Sequence, residues 1–171
     1  MKISDLDNIY SVCFTGHREL SAAEELYISN KLTAALTALI TEHGLTDCYA
    51  GGAIGLDTVA ARVVLSLKEI YPQLKLNLIL PCRGQENSWN DAQKAQYREI
   101  KEKADTVRVL APFYYNGCMQ ARNRAMLDAS ELCIAYLRAG TSGGGSLNTV
   151  LQATKLGIPV WNLADKESED I

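Results

Sequence analysis

The chain has 171 residues, of which 47% are hydrophobic and 22% charged, with a formal net charge of −3. That length and balance suit one globular domain able to bury its own core, and exclude a disulfide-stapled scaffold and a disordered tail. Seventeen Lys and Arg against 20 Asp and Glu supply no global basic field, which argues against nucleic acid as a partner. The five cysteines are odd in number and contain no CxxC pair, so they read as free thiols in a reducing compartment. The opening MKISDLDNIY lacks an apolar signal core, and no apolar run reaches the roughly 18 residues of a membrane span. A single cytoplasmic domain over residues 1–171, with its core at about 10–163, is expected.

In chain order, Tyr10 to Thr15 is an apolar run too short for a helix, and it ends in Gly16-His17-Arg18. Ser21-Ala-Ala-Glu24 is a capping-box pattern that opens a helix, with Leu32, Leu36, Leu39 and Ile40 at helical spacing and Gly44 at its close. A short strand ends at Ala50-Gly51-Gly52. A helix from about Gly55 carries Val59, Val63, Leu67 and Ile70 on one face until Pro72. Leu74 to Leu80 reads as a strand, and Ser88 as the cap of a polar helix through Lys103. Thr106 to Leu110 is strand-like, Met119 to Ala129 helical, and Leu132 to Leu137 a continuous apolar strand. After a glycine-rich loop, Ser146 to Leu156 is helical, Gly157 closes it, Pro159 to Leu163 is a last strand, and Asp165 to Ile171 is a frayed charged tail. Strands alternating with helices predict an α/β fold: a Rossmann-like three-layer sandwich with a mainly parallel sheet of about six strands.

In such sheets ligands lie beyond the carboxyl ends of the strands, so the loops there carry the functional reading. Gly140-Thr-Ser-Gly-Gly-Gly-Ser146 has glycines that let the backbone approach a ligand, followed by a helix whose first N–H groups are unpaired. It reads as a phosphate cradle, with hydroxyls from Thr141, Ser142 and Ser146. No GK[ST] follows, so it is not a Walker A loop. Gly51, Gly52 and Gly55 make a second strand-to-helix turn that departs from G-x-G-x-x-G. Asp57 follows in the first helical turn, where the dipole favours a carboxylate and where it could hold a ribose hydroxyl or a water. Arg18 can fork onto phosphate, His17 is a hydrogen-bonding residue, and His43 is structural. Trp89 either stacks a base or staples its loop. Arg122 and Arg124 stand two apart on a helix, so one points to the cleft and the other to solvent. No metal-ligand spacing is present.

Phe14-Thr-Gly-His-Arg18, Gly51-Gly-Ala-Ile-Gly-Leu-Asp57, the spacing of Pro81, Gln85 and Trp89, and Arg122-Asn123-Arg-Ala-Met126 together resemble the YpsA-like branch of the SLOG superfamily, over roughly residues 10–163. That superfamily also includes the DNA-processing protein DprA and the LOG phosphoribohydrolases. The resemblance implies a Rossmann-like fold whose glycine-rich loops bind nucleotides or nucleotide-derived ligands. LOG enzymes cleave the N-glycosidic bond of a cytokinin nucleotide, using R-K-x-x-M and P-G-G-x-G-T-x-x-E motifs. The first is similar to Arg122-Asn123-Arg-Ala-Met126. In the second, Gly143, Gly144, Gly145 and Ser146 remain, but Thr149 stands where the glutamate belongs and Asn148 beside it. Glycosidic cleavage builds positive charge that a carboxylate must steady, and neither Asn nor Thr provides one.

The leading expectation is therefore a sensor or regulatory module that binds a nucleotide or an ADP-ribose- or NAD-derived ligand, with no obligatory cofactor. Its ligand-binding set is Thr15, Gly16, His17, Arg18, Gly51, Gly52, Gly55, Asp57, Gln85, Trp89, Arg122, Asn123, Gly143, Gly144, Gly145 and Ser146. The alternative is an N-glycosidase on a nucleoside phosphate, with Asp57 and Arg122 as its catalytic candidates. A second alternative is a DprA-like DNA-processing or protein-interaction role. A second copy of the chain is a candidate partner in a homo-oligomer.

Overall fold

The capping box at Ser21 forms as its residues require. Ser21 Oγ accepts from Glu24 N at 3.2 Å, and the Glu24 carboxylate accepts from Ser21 N at 2.8 Å. The helix it opens, α1 (Ala22–His43), closes on Gly44 in the left-handed region at φ 80°. In the computed structural model, which describes residues 6–165, α1 is one of five helices that alternate with six strands. The others are α2 (Leu56–Ile70), α3 (Asp91–Lys103), α4 (Cys118–Asp128) and α5 (Gly145–Lys155). The strands are β1 (Ser11–Gly16), β2 (Asp47–Ala50), β3 (Lys75–Leu80), β4 (Thr106–Val109), β5 (Leu132–Tyr136) and β6 (Val160–Asn162).

Every strand pairing is parallel, in the order β4-β3-β2-β1-β5-β6. The fold is therefore the α/β, Rossmann-like architecture expected from the alternation of elements. The unbroken apolarity of β1 and β5 has the physical cause anticipated for it: both are central and buried on two faces. On one face, Val12, Phe14, Leu76, Leu78, Leu80 and Ile134 pack under α1, α2 and α3. On the other, Cys13 and Cys133, register partners on β1 and β5, pack with Met126, Leu127 and Ala153 from α4 and α5. All five cysteines are free and buried. From β1 the chain proceeds through β2, β3 and β4 on one side and returns to β5 on the other. The β1/β5 boundary is thus where the winding reverses.

Two local expectations are corrected. Asn90, not Ser88, caps α3: Asn90 Oδ1 accepts from Gln93 N at 2.9 Å, and Gln93 Oε1 accepts from Asn90 N at 3.1 Å. Ser88 falls instead inside a turn in which Asn87 N donates to Gly84 O and Trp89 N to Glu86 O. Ile70 does not continue the core stripe of α2 and is 69% exposed; that stripe runs through Leu56, Ala60, Val63, Val64 and Leu67. Of the charged tail, only Asp165 is described, hydrogen-bonded to Asn162; residues 166–171 lie outside the described residues. Among the described residues, no helix is long and apolar enough to cross a membrane.

Candidate functional site

The β1/β5 boundary opens at its carboxyl end into a cleft of about 300 Å³. β1 brings Phe14, Thr15 and Gly16 to it, followed by His17 and Arg18; α2 brings Asp57; α4 brings Met119, Arg122, Asn123 and Met126; the loop into α5 brings Gly143, Gly144, Gly145 and Ser146. α1 and α3 open with capping boxes, which satisfy their free N–H groups. In contrast, α2, α4 and α5 begin at Gly55, Gly117 and Gly144 with no side-chain cap. Of the three, α5 meets the cleft with its first turn, through Gly145 and Ser146, whereas α4 lines it along its flank, and the first amides of α2 and α4, Leu56 N and Cys118 N, donate to His17 O and Tyr115 O.

The glycine-rich loop is anchored at both ends and open in the middle. Ser146 Oγ donates to Gly16 O at 2.6 Å, which ties the start of α5 to the end of β1. Arg138, two residues beyond β5, binds Glu24 at 2.6 and 2.8 Å and donates to Glu19 O at 2.7 Å. Arg138 N also donates to His17 Nε2 at 3.1 Å, so the His17 proton sits on Nδ1. Burial and the nearby Arg138 charge hold His17 below its ordinary value, although Glu24 opposes them, and the ring is neutral at pH 7. Between these anchors, a Cβ placed at Gly143, Gly144 or Gly145 would touch nothing within 4 Å. Those three glycines face open space, whereas the other glycine turn is packed shut.

Gly51, Gly52 and Gly55 lie behind the cleft wall. A Cβ at Gly51 would run into the Arg122 guanidinium, and one at Gly52 would meet Leu80 at 2.6 Å. Gly55, at φ +79°, leaves room for the carbonyls of His17 and Arg18 where a Cβ would stand. Gln85 also sits behind the wall. Its Nε2 donates to the carbonyls of Gly51 and Gly52 at 3.4 Å and to Tyr97 Oη at 3.2 Å. Trp89 stands edge-on to Tyr97, with centroids 5.3 Å apart, because its turn folds it back onto α3. Of its two sequence readings, the staple is the one its contacts match.

The paired arginines divide as the helical spacing requires. Arg124 is exposed and pairs with Asp128 at 2.7 Å, whereas Arg122 is 4% exposed beneath the cleft. Arg122 Nη1 donates to Gly51 O, and its Nε donates to Asn123 Oδ1 at 2.7 Å. Asn123 Nδ2 then donates to Thr149 Oγ1 at 2.8 Å, and Thr149 Oγ1 donates to Gly145 O at 2.8 Å. A hydrogen-bonded chain thus runs from Arg122 to the first turn of α5. Thr149, at the position of the LOG glutamate, is 2% exposed. Asp57 is buried 3.9 Å from Arg122 and accepts from Ala53 N at 3.2 Å. Burial raises its carboxyl above the ordinary value, and the charges of Arg122 and Arg18 only partly oppose that. Arg18 differs from both: it is exposed, its guanidinium touches Met119 Sδ at 3.8 Å, and among the described residues no carboxylate lies within ion-pair distance of it.

Ala53, Ile54 and Met126 line the cleft from within the motifs read in the sequence, whereas Met119, brought by the packing of α4, and Leu137, just beyond β5, had no sequence signal of their own.

Known proteins are similar to this chain in sequence and in fold. The family model described as the YspA SLOG family, YpsA, matches residues 12–155. The prophage-derived protein YoqJ of Bacillus subtilis is 30% identical over 150 residues, covering 81% of this chain and 88% of that protein. The UPF0398 protein OB1025 of Oceanobacillus iheyensis is 30% identical over 133 residues, covering 76% and 72%. Among solved structures, DNA processing protein A of Helicobacter pylori, described for its single-stranded DNA binding mode, aligns with a TM-score of 0.60 at 18% identity. That alignment covers 88% of this chain but 63% of the other, so the chain spans less than two thirds of its length, and the likeness is one of fold. A family model that takes in both glycine turns and all of α4 leaves one conclusion: the chain belongs to the YpsA SLOG family.

Proposed function

We propose that the cleft binds a phosphorylated nucleotide-type ligand and that the protein acts as a ligand-responsive module. The observation that carries this reading is the meeting, at one cleft, of the uncapped N-terminus of α5, an open run of three glycines and the Arg18 guanidinium, which has no carboxylate partner among the described residues. Backbone N–H groups and a positive dipole favour an anion there, and Arg18 adds a planar fork for phosphate oxygens. Arg122 serves from below: its donors are directed to Gly51 and Asn123, so it supports the wall and the α5 turn and adds positive potential. Met119 and Met126 offer polarizable surface to a base. The missing LOG glutamate, with a buried threonine in its place, argues for binding over glycosidic turnover.

The test is a thermal-shift series on the whole chain with AMP, ADP, NAD and ADP-ribose, with each mixture analysed for released base. A ligand at a hundredfold excess over its Kd stabilises by about 2.7 kcal/mol. A shift without released base is expected. Released base would make the protein an N-glycosidase, and no shift with any of the four would remove the nucleotide reading.

A second reading has one observation in its favour. Phe113, Tyr114 and Tyr115 stand 78%, 68% and 48% exposed beyond β4, and successive aromatic faces suit unpaired bases. The Helicobacter pylori protein is described as binding single-stranded DNA, and the backbone of Arg83 is bonded to the same loop at Ala111. Salt-dependent anisotropy of a labelled oligonucleotide, lost in Phe113→Ala/Tyr114→Ala, would support this reading over the first; no binding at low salt removes it.

A further inference from the structure

The cleft, at about 300 Å³, is at the lower bound of the ~300–1,000 Å³ range of small-molecule sites. It does not end at Arg18. On the far side of that residue a trough of about 440 Å³ lies over the first turns of α2, between the starts of α1 and α3. Arg18 and Ile54 line both cavities, so the two adjoin at the Arg18 guanidinium, which has no carboxylate partner among the described residues.

We propose that this trough is a second subsite, which takes the uncharged, hydroxyl-bearing group joined to the distal phosphate of a ligand whose phosphates lie in the cleft. The inference rests on the nucleotide reading of the cleft and extends it to a two-lobed ligand of the ADP-ribose class. The two cavities differ in chemistry. The cleft holds a single carboxylate, Asp57, which is buried and faces Arg122. The trough is lined by two exposed carboxylates, Glu19 and Glu25, with Arg62 beside them. Carboxylates repel a further phosphate and accept readily from paired sugar hydroxyls. Gln93 and Gln96, on one side of α3, offer amide donors, and Thr58 Oγ1 already donates to Ala53 O, so it is available as an acceptor. Arg18 stands where the two environments meet, as a cation placed for a phosphate that is followed by a neutral polyol.

The test is calorimetric titration of the whole chain with ADP and with ADP-ribose, which differ by the terminal ribose. The native protein and the double variant Glu25→Gln/Gln96→Ala are compared; both substitutions lie in the trough and outside the cleft. The native protein is expected to bind ADP-ribose at least tenfold more tightly than ADP. The variant should lose that advantage while keeping its affinity for ADP. Equal affinities in the native protein, or an advantage that survives in the variant, would overturn the trough subsite and leave the cleft reading standing. Binding of neither compound would overturn both. Circular dichroism of the variant confirms that any loss is local.

Discussion

Arg122 and Asp57 face each other 3.9 Å apart beneath the cleft, yet the Arg122 guanidinium directs its Nη1 donor to the carbonyl of Gly51. The charge pair is therefore also the support of a glycine turn 71 residues away in sequence. Removing Arg122 strands a buried carboxylate and a buried carbonyl together, which typically costs about 3–5 kcal/mol. Arg122→Met is expected to fall in that range by urea denaturation. Arg124→Ala, which breaks an exposed pair with Asp128, should cost less than about 0.5 kcal/mol and serves as the control.

Asp57 gives the molecule a pH signature. Its folded carboxyl is raised from an ordinary value of 3.8, chiefly by burial. A raised group favours the folded state fully below its unfolded value, and that contribution is lost as pH rises through the folded value. The stability of the native protein relative to Asp57→Asn should therefore be greatest in acid and fall towards neutrality. Denaturation curves of both proteins between pH 3 and 8 measure it; a constant difference would contradict the assignment.

Glu24 acts in the opposite direction. Hydrogen bonds from Arg138 and Ser21 hold its carboxyl well below the ordinary 4.5. Its contribution is present above the unfolded value and is lost as pH falls through the folded one. Because Arg138 also fixes His17 through its backbone, Glu24→Gln should speed amide exchange in residues 138–144 at pH 7 more than elsewhere in the chain. Hydrogen exchange read by mass spectrometry checks this.

The glycines separate into two kinds. Gly55→Ala meets backbone carbonyls and an unfavourable φ, so a loss of about 1–3 kcal/mol is expected whatever its effect on ligands. Gly143→Ala and Gly145→Ala meet nothing, and neither has a positive φ, so the melting temperature should be close to native. Their added methyl groups instead stand where a phosphate would approach, and nucleotide affinity should fall at least several-fold.

These contrasts show what sequence can carry. The Ser21–Glu24 box, the Gly44 cap, and the doubly buried β1 and β5 are local patterns, and each was legible because its cause lies within a few residues. The loop into α5 was legible for the same reason, since its glycines stand open before a helix; the Gly51–Gly55 turn has the same pattern but is packed shut by Arg122, Leu80 and the carbonyls of His17 and Arg18. Roles that depend on distant packing were not legible. Arg122 reads as a ligand arginine until the Gly51 carbonyl is found against it, and Glu24 reads as a cap alone until Arg138 arrives from 114 residues away. Gln85 and Trp89 keep a motif-like spacing, but their turn aims them at Tyr97. The trough beside Arg18 needs three helices assembled before it exists.

On the proposed function, the cleft binds the phosphates of a nucleotide through Arg18 and the glycine loop. Calorimetric titration of ADP into the native chain and into Arg18→Gln measures this, because among the described residues Arg18 has no ion-pair partner whose loss would disturb the fold. Saturable binding to the native protein and an affinity at least tenfold weaker in Arg18→Gln, with melting temperatures alike, are expected. Equal affinity in the two proteins, or no binding to the native chain, would contradict this reading.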